Sequence, residues 1–240
     1  MKKLLVALMF LPCLAHAGTI TTSFSPLGTV TFSSSSAMSI ALDSTTASFY
    51  SGVTQVKYNM TNNAGNFMYC AMGWATGTNI NVSSVSYNGQ QFSVAITTGN
   101  TNGPTACALW YLSNPAIGSN SVQVNFPTSV NTGVTCATLT GVNAASPIDV
   151  SGANVAGSGT GTITQSVTTS VLNDWLVDCS YNNNGNAETA DPAQTAIFIN
   201  PGGAIANSYR GPVGVGSSSM TYTASNFSQP AMAVMAVKHQ

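Results

Sequence analysis

After residue 17 the chain shows no long apolar repeat at helical spacing; it offers short runs of β-branched and aromatic residues cut by Gly, Asn, Ser and Pro. Such a chain has to satisfy its backbone N–H and C=O groups by pairing strands, so an all-β fold is expected. The clearest run is Ser121-Val122-Gln123-Val124-Asn125-Phe126, where Val122, Val124 and Phe126 share one face and the polar residues share the other, as in a half-buried strand.

Less regular strand candidates cover 29–32, 53–60, 67–74, 82–87, 91–96, 106–112, 134–140, 160–169, 175–181, 195–200, 220–224 and 231–238. Asn88-Gly89 between two of them predicts a tight hairpin, because both residues tolerate the positive φ of a type I′ turn. Many short strands at turn-punctuated spacing predict an antiparallel two-sheet β-sandwich. No linker divides residues 53–240, which are expected to form one domain. Residues 18–52, rich in Ser and Thr, read as an arm or extra strands preceding it.

Lys2 and Lys3, the apolar run 4–14 and the small-residue pattern Ala15-His16-Ala17 have the order of a secretory signal peptide spanning 1–17. The apolar run is too short to span a bilayer, which takes roughly 20 residues, so no membrane span is expected. The mature chain is then expected to be secreted or displayed at the cell surface. Beyond the signal, Lys57, Arg210 and Lys238 face six carboxylates, a net charge of −3. With only 5% charged residues overall, no basic stripe is available to neutralise phosphates, and nucleic acid is excluded as a partner.

Several of these segments follow one another in a recognisable order. They are Val85-Ser86-Tyr87-Asn88-Gly89; Leu109-Trp110-Tyr111-Leu112 with Asn114-Pro115 and Gly118; Leu139-Thr140-Gly141-Val142-Asn143 with Pro147; Asp174-Trp175-Leu176-Val177-Asp178; and the closing strand 231–238. The series resembles the jelly-roll, concanavalin-A-like domains of bacterial exported proteins and phage structural or tail proteins, most of them without an assigned activity. The resemblance covers residues 53–240 and implies a jelly-roll fold. Its motifs are turn and core positions, so it implies no site.

The chemical inventory is sparse. His239, the single histidine beyond the signal, sits beside the C-terminus, where it makes a poor general base for a Ser-His-Asp triad. Glycan cleavage takes two carboxyl groups at a set separation, and Asp174, Asp178, Glu188 and Asp191 are the candidates. The same oxygens suit calcium better: Asp178, Glu188 and Asp191, with the Asn-rich loop 182–186, supply hard ligands outside any EF-hand spacing. No other cofactor is expected.

Beyond the signal, which holds Cys13, four cysteines, Cys70, Cys107, Cys136 and Cys179, form an even set in a chain expected to be exported, and disulfides are predicted. Of the three connectivities, one with Cys107 joined to Cys136 is favoured. Lys57 alternates with Val56 and Tyr58 and is expected on a wet face, away from the buried position an isopeptide cross-link would need. Trp74, Trp110 and Trp175 lie in apolar strands, where core packing competes with a sugar-stacking role.

These features predict a non-enzymatic exported β-sandwich that serves as a structural or adhesive component of an extracellular assembly, such as a surface fibre or a phage particle. Its expected partners are other copies of itself or extracellular proteins, with glycans as a further class. The alternatives are a carbohydrate-binding module and a carboxylate-dependent glycan hydrolase or lyase.

Overall fold

The computed structural model describes residues 39–76, 80–98, 105–159, 161–200 and 204–240, with the backbone of 20–24 and 28–32. The predicted signal peptide lies outside the described residues. Two compact units are present, Met1–Ala37 and Met38–Gln240. In the first, β1 (Ile20–Phe24) and β2 (Gly28–Phe32) form an antiparallel hairpin.

The second unit continues with β3 (Ala41–Asn62), β4 (Phe67–Ala75), β5 (Ser84–Tyr87), β6 (Gln90–Gln91), β7 (Ser93–Thr97), β8 (Thr105–Ser113) and β9 (Gly118–Thr140). It closes with β10 (Ile148–Val155), β11 (Thr162–Thr169), β12 (Asp174–Tyr181), β13 (Thr189–Ala190), β14 (Thr195–Ile199), β15 (Ile205–Val213), β16 (Gly216–Thr223) and β17 (Ala231–Val237). Every strand pair is antiparallel. The all-β prediction holds. Residues 41–52, expected in the arm, are the first half of β3 and pair with β9 from Thr140 back to Thr132.

The body is sandwich-like, but more than two sheets build it. One sheet runs β6-β5-β9-β4-β8-β7 with β3 on β9, a second runs β10-β17-β12-β15-β14 and a third runs β11-β16-β13. The reason is written in the central strands. Phe67–Ala75, Asp174–Tyr181 and Ala231–Val237 are buried along nearly their whole length. Such strands need cover on both faces.

Alternate residues divide between layers. Phe67, Tyr69 and Ala71 pack with Val177, Cys179 and Ala233 between the first two sheets. Met68, Cys70, Met72 and Trp74 point the other way, against Val122, Val124 and Phe126. That second contact arises because the β3–β9 ribbon folds over. Val53 pairs with Val130, but Gln55 pairs with Asn125, so β9 carries extra residues around Pro127, which has no N–H to give the ladder. Leu176, Met232 and Val234 meet Ile163, Met220 and Tyr222 of the third sheet.

The Asn88-Gly89 turn is present, with φ of 49° and 77°, and Tyr87 pairs with Gln90 across it. Lys57 is exposed between buried Val56 and half-buried Tyr58, as its alternation predicts.

The favoured Cys107–Cys136 pairing is corrected. Cys70 and Cys136 are directly opposite one another on β4 and β9, their Cα atoms 4.0 Å apart, and are bonded. Cys107 lies on β8, which β4 separates from β9, and it faces the opposite side of the sheet from Cys136. It meets Cys179 of the second sheet instead, with the two Sγ atoms 2.9 Å apart and unbonded. Burial pushes both thiols above the usual range, which makes them poor nucleophiles. Thiol titration of the chain from residue 18 onward is therefore expected to find none in the native protein and two after denaturation without reductant. Four would exclude the Cys70–Cys136 bond.

Candidate functional site

Two of the four carboxyl groups singled out in the sequence, Asp174 and Asp178, are carried by β12. Its odd residues, Trp175, Val177, Cys179 and Tyr181, enter the core between the first two sheets. The even residues face the third sheet, which places Asp178 between Leu176 and Ser180 in that layer.

Asp178 has no exposed surface. Its Oδ1 accepts the Ser208 N–H at 2.6 Å and the Tyr222 hydroxyl at 3.0 Å. Its Oδ2 accepts the Ser208 hydroxyl at 2.9 Å and a Gln194 Nε2–H at 3.4 Å. Gln194 reaches this point because its loop turns on Asp191, whose C=O accepts the Gln194 N–H at 2.8 Å. Gln194 Nε2 also donates to Ser208 Oγ at 2.8 Å, while its Oε1 accepts the Thr221 N–H at 2.6 Å. Burial raises the Asp178 carboxyl to about 7, against the opposing pull of these donors.

Glu188 is 3% exposed. Burial lifts its carboxyl to about 8, with the Ser180 hydroxyl opposing the shift and the nearby Asp178 adding to it. Asp191 stays on the exposed loop and accepts the Ala193 N–H at 2.9 Å. The structure thus brings Asp178 and Glu188 within electrostatic reach of each other and leaves Asp191 outside. Among the described residues no group of three His, Cys, Asp or Glu side chains is placed to hold a metal ion.

A second carboxyl pair was not read from the sequence. Asp149 on β10 sits beside Asp174 at the start of β12. Burial, then the Asp149 charge, raises Asp174 to about 7. Asp149 itself is lowered: burial opposes this, but the Ser170 hydroxyl and N–H and the Lys238 charge outweigh it. The pairing depends on β10 and β12 flanking β17, which no local pattern announces.

The raised carboxyls Asp174, Asp178 and Glu188 are all buried. Among the described residues, two surface features stand out as open. One is a groove of about 250 Å³ lined by Asn81, Val82, Val94, Thr97, Ala108 and Trp110. Trp110 is half-buried there and Val94 is 52% exposed, whereas Trp74 is in the core and Trp175 stacks on Tyr209 at 4.6 Å.

The other is the outer face of β11 and β16. Thr162, Thr164, Ser166 and Thr168 are directly opposite Thr223, Thr221, Ser219 and Ser217, giving two columns of hydroxyl side chains. All four β11 members are exposed, and the β16 members are exposed or half-buried. Thr164 and Thr221 hydroxyls are 3.0 Å apart, and those of Ser166 and Ser219 are 2.8 Å apart. The chain matches no known family model and no curated protein.

Proposed function

We propose that the chain is an exported, non-enzymatic β-sandwich that acts through its surface as a structural or adhesive component of an extracellular assembly, a fibre or a phage particle. The observation that carries this reading is the uncharged hydroxyl face of β11 and β16. A regular array of neutral hydroxyl donors and acceptors approaches a second copy or a polyhydroxylated surface with little charge to desolvate, Arg210 and Asp191 lying at its β16 edge. A cross-bonded strand pair and layers covered on both sides make a stiff support for such a face.

The finer jelly-roll arrangement belongs to the same proposal. It is supported by the order β10-β17-β12-β15, in which strands distant in sequence are antiparallel neighbours, as in Greek-key winding.

Sedimentation velocity across a concentration series, paired with a glycan array, tests the surface reading. The wild-type protein is expected to self-associate or to bind, and Thr164→Glu with Ser166→Glu is expected to abolish it by placing charge in the array. A wild-type protein that stays monomeric and binds no glycan overturns the reading.

The carbohydrate-binding alternative rests on the groove, where Trp110 offers an aromatic face beside Asn81. Trp110→Ala is expected to weaken glycan binding by about 5- to 150-fold if the groove is the site, since a lost stacking contact is worth about 1–3 kcal/mol, by analogy with bases on aromatics. Unchanged affinity would direct attention back to the hydroxyl face.

A further inference from the structure

We propose that Ser208 and Gln194 join in an ester within the fold: Ser208 Oγ adds to Gln194 Cδ with Asp178 as the base, and the carboxamide nitrogen leaves as ammonia. This is independent of the surface reading above, since it concerns a covalent bond formed by the protein on itself.

The geometry supplies each part of an acyl transfer. The nucleophile is Ser208 Oγ, whose O–H points at Asp178 Oδ2 over 2.9 Å. The base is held in place from its other oxygen, where Asp178 Oδ1 takes the Ser208 N–H and the Tyr222 hydroxyl. The electrophile is the Gln194 carboxamide, whose Nε2–H donates to Ser208 Oγ at 2.8 Å; Cδ is one bond beyond that contact, and the carboxamide has to tip its face toward Oγ for attack. Its orientation is fixed by the Thr221 N–H, a donor that demands the carbonyl oxygen. At 2.6 Å, that backbone N–H also stabilises the negative charge that oxygen carries once the tetrahedral adduct forms.

The proton inventory closes without another reactant. The Ser208 proton passes to Asp178 Oδ2, the C–O bond forms, and the adduct collapses by breaking C–N. Asp178 Oδ2, 3.4 Å from Gln194 Nε2, returns the proton to the departing nitrogen, so NH₂ leaves as NH₃ and the carboxylate is regenerated. Nothing is oxidised or reduced. A carboxyl raised to about 7 by burial is matched to taking and returning a proton near neutral pH.

Enclosure protects the product. Asp178, Ser208 and Tyr222 have no exposed surface and Gln194 is 9% exposed, so little water reaches the ester. The bond ties the loop before β14 to β15, adding a covalent tie to a pair joined by a short ladder that shifts register between Ala196 and Phe198.

Mass spectrometry of the purified full chain, denatured and reduced, decides the matter once its N-terminus has been sequenced. The expected mass is about 17 Da, one ammonia, below that of the unmodified chain, with fragmentation of a non-tryptic digest linking Gln194 to Ser208. Ser208→Ala and Asp178→Asn are expected to keep the ammonia, Ser208→Thr to lose it, and hydroxylamine to open the linked peptide. A wild-type chain of unmodified mass overturns the proposal whether or not any variant folds. So does a loss of ammonia that maps to Asn88-Gly89, Asn102-Gly103, Asn184-Gly185 or the N-terminus.

Discussion

Raising the pH from 5 to 8 is expected to lower the unfolding free energy by several kcal/mol. Asp174 and Asp178 are raised to about 7 and Glu188 to about 8, from ordinary values of 3.8 and 4.5, all three chiefly by burial. Between those ordinary values and about pH 8 the folded protein holds protons that the unfolded chain has released. Stability is therefore greatest near and below the ordinary values and is lost as the pH climbs through the raised ones.

Each carboxyl adds a slope of up to about 1.4 kcal/mol per pH unit in that window. Even after discounting the neighbouring Asp178 and Glu188 as a coupled pair, the loss is a large share of a typical stability of about 5–15 kcal/mol. Asp43 and Asp149 act with opposite sign. Both are lowered, and the stability they contribute disappears only as the pH falls through their depressed values. The maximum is therefore expected at about pH 4–5. Urea titrations at half-unit pH steps check this, and a midpoint that stays flat or rises from pH 5 to 8 contradicts it. In Glu188→Gln, which is neutral at every pH, the slope is expected to become shallower between pH 6 and 8.

Placing a side chain at Gly133 or Gly73 is expected to destabilise the protein by about 3 kcal/mol or more for Val, at the upper end of overpacking costs. The two glycines are directly opposite on β9 and β4 and face the second sheet. A Cβ at Gly133 would sit 2.3 Å from Ile205 Cγ2, and one at Gly73 would sit 2.5 Å from Tyr181 Cδ2. Ile205 and Tyr181 are themselves fixed in the core between the sheets, so neither can swing aside freely. Gly133→Ala is expected to cost less, and Ile205→Ala in the same chain to recover part of the loss by clearing the contact, a coupling that a double-mutant cycle measures. Unchanged stability in Gly133→Val would mean that the two sheets do not meet at this point.

The sequence carried the alternating strands well. Val122, Val124 and Phe126 are buried on one face as their period-2 pattern required, and Asn88-Gly89 makes its turn. It did not announce β15. Ile205-Ala206-Asn207-Ser208-Tyr209-Arg210-Gly211-Pro212-Val213 mixes polar, small and turn-forming residues and falls outside the strand candidates, yet it is an interior strand between β12 and β14. Its polar residues can be buried because their partners come from other strands, with Ser208 bonded to Asp178 and the Asn207 amide to the Asp178 carbonyl.

The candidate site was legible in part for the same reason. Asp178 and Glu188 stood out as scarce carboxyls in a chain with few charges. Their partners Ser208, Gln194 and Tyr222 are of commonplace residue types, and only their convergence distinguishes them.

Residue order alone determined the strand content, the turns, the scarcity of acid–base groups and the wet face of Lys57, because each follows from neighbours a few positions apart. The tertiary structure decided which cysteines bond, which carboxyls are raised and where the sheets can touch. Each of those turns on strand order and on which face a residue presents to a distant segment. Cys136 lies opposite Cys70 rather than Cys107 because β4, not β8, is the neighbour of β9. Asp178 meets Gln194 and Tyr222 because the third sheet covers the outer face of the second.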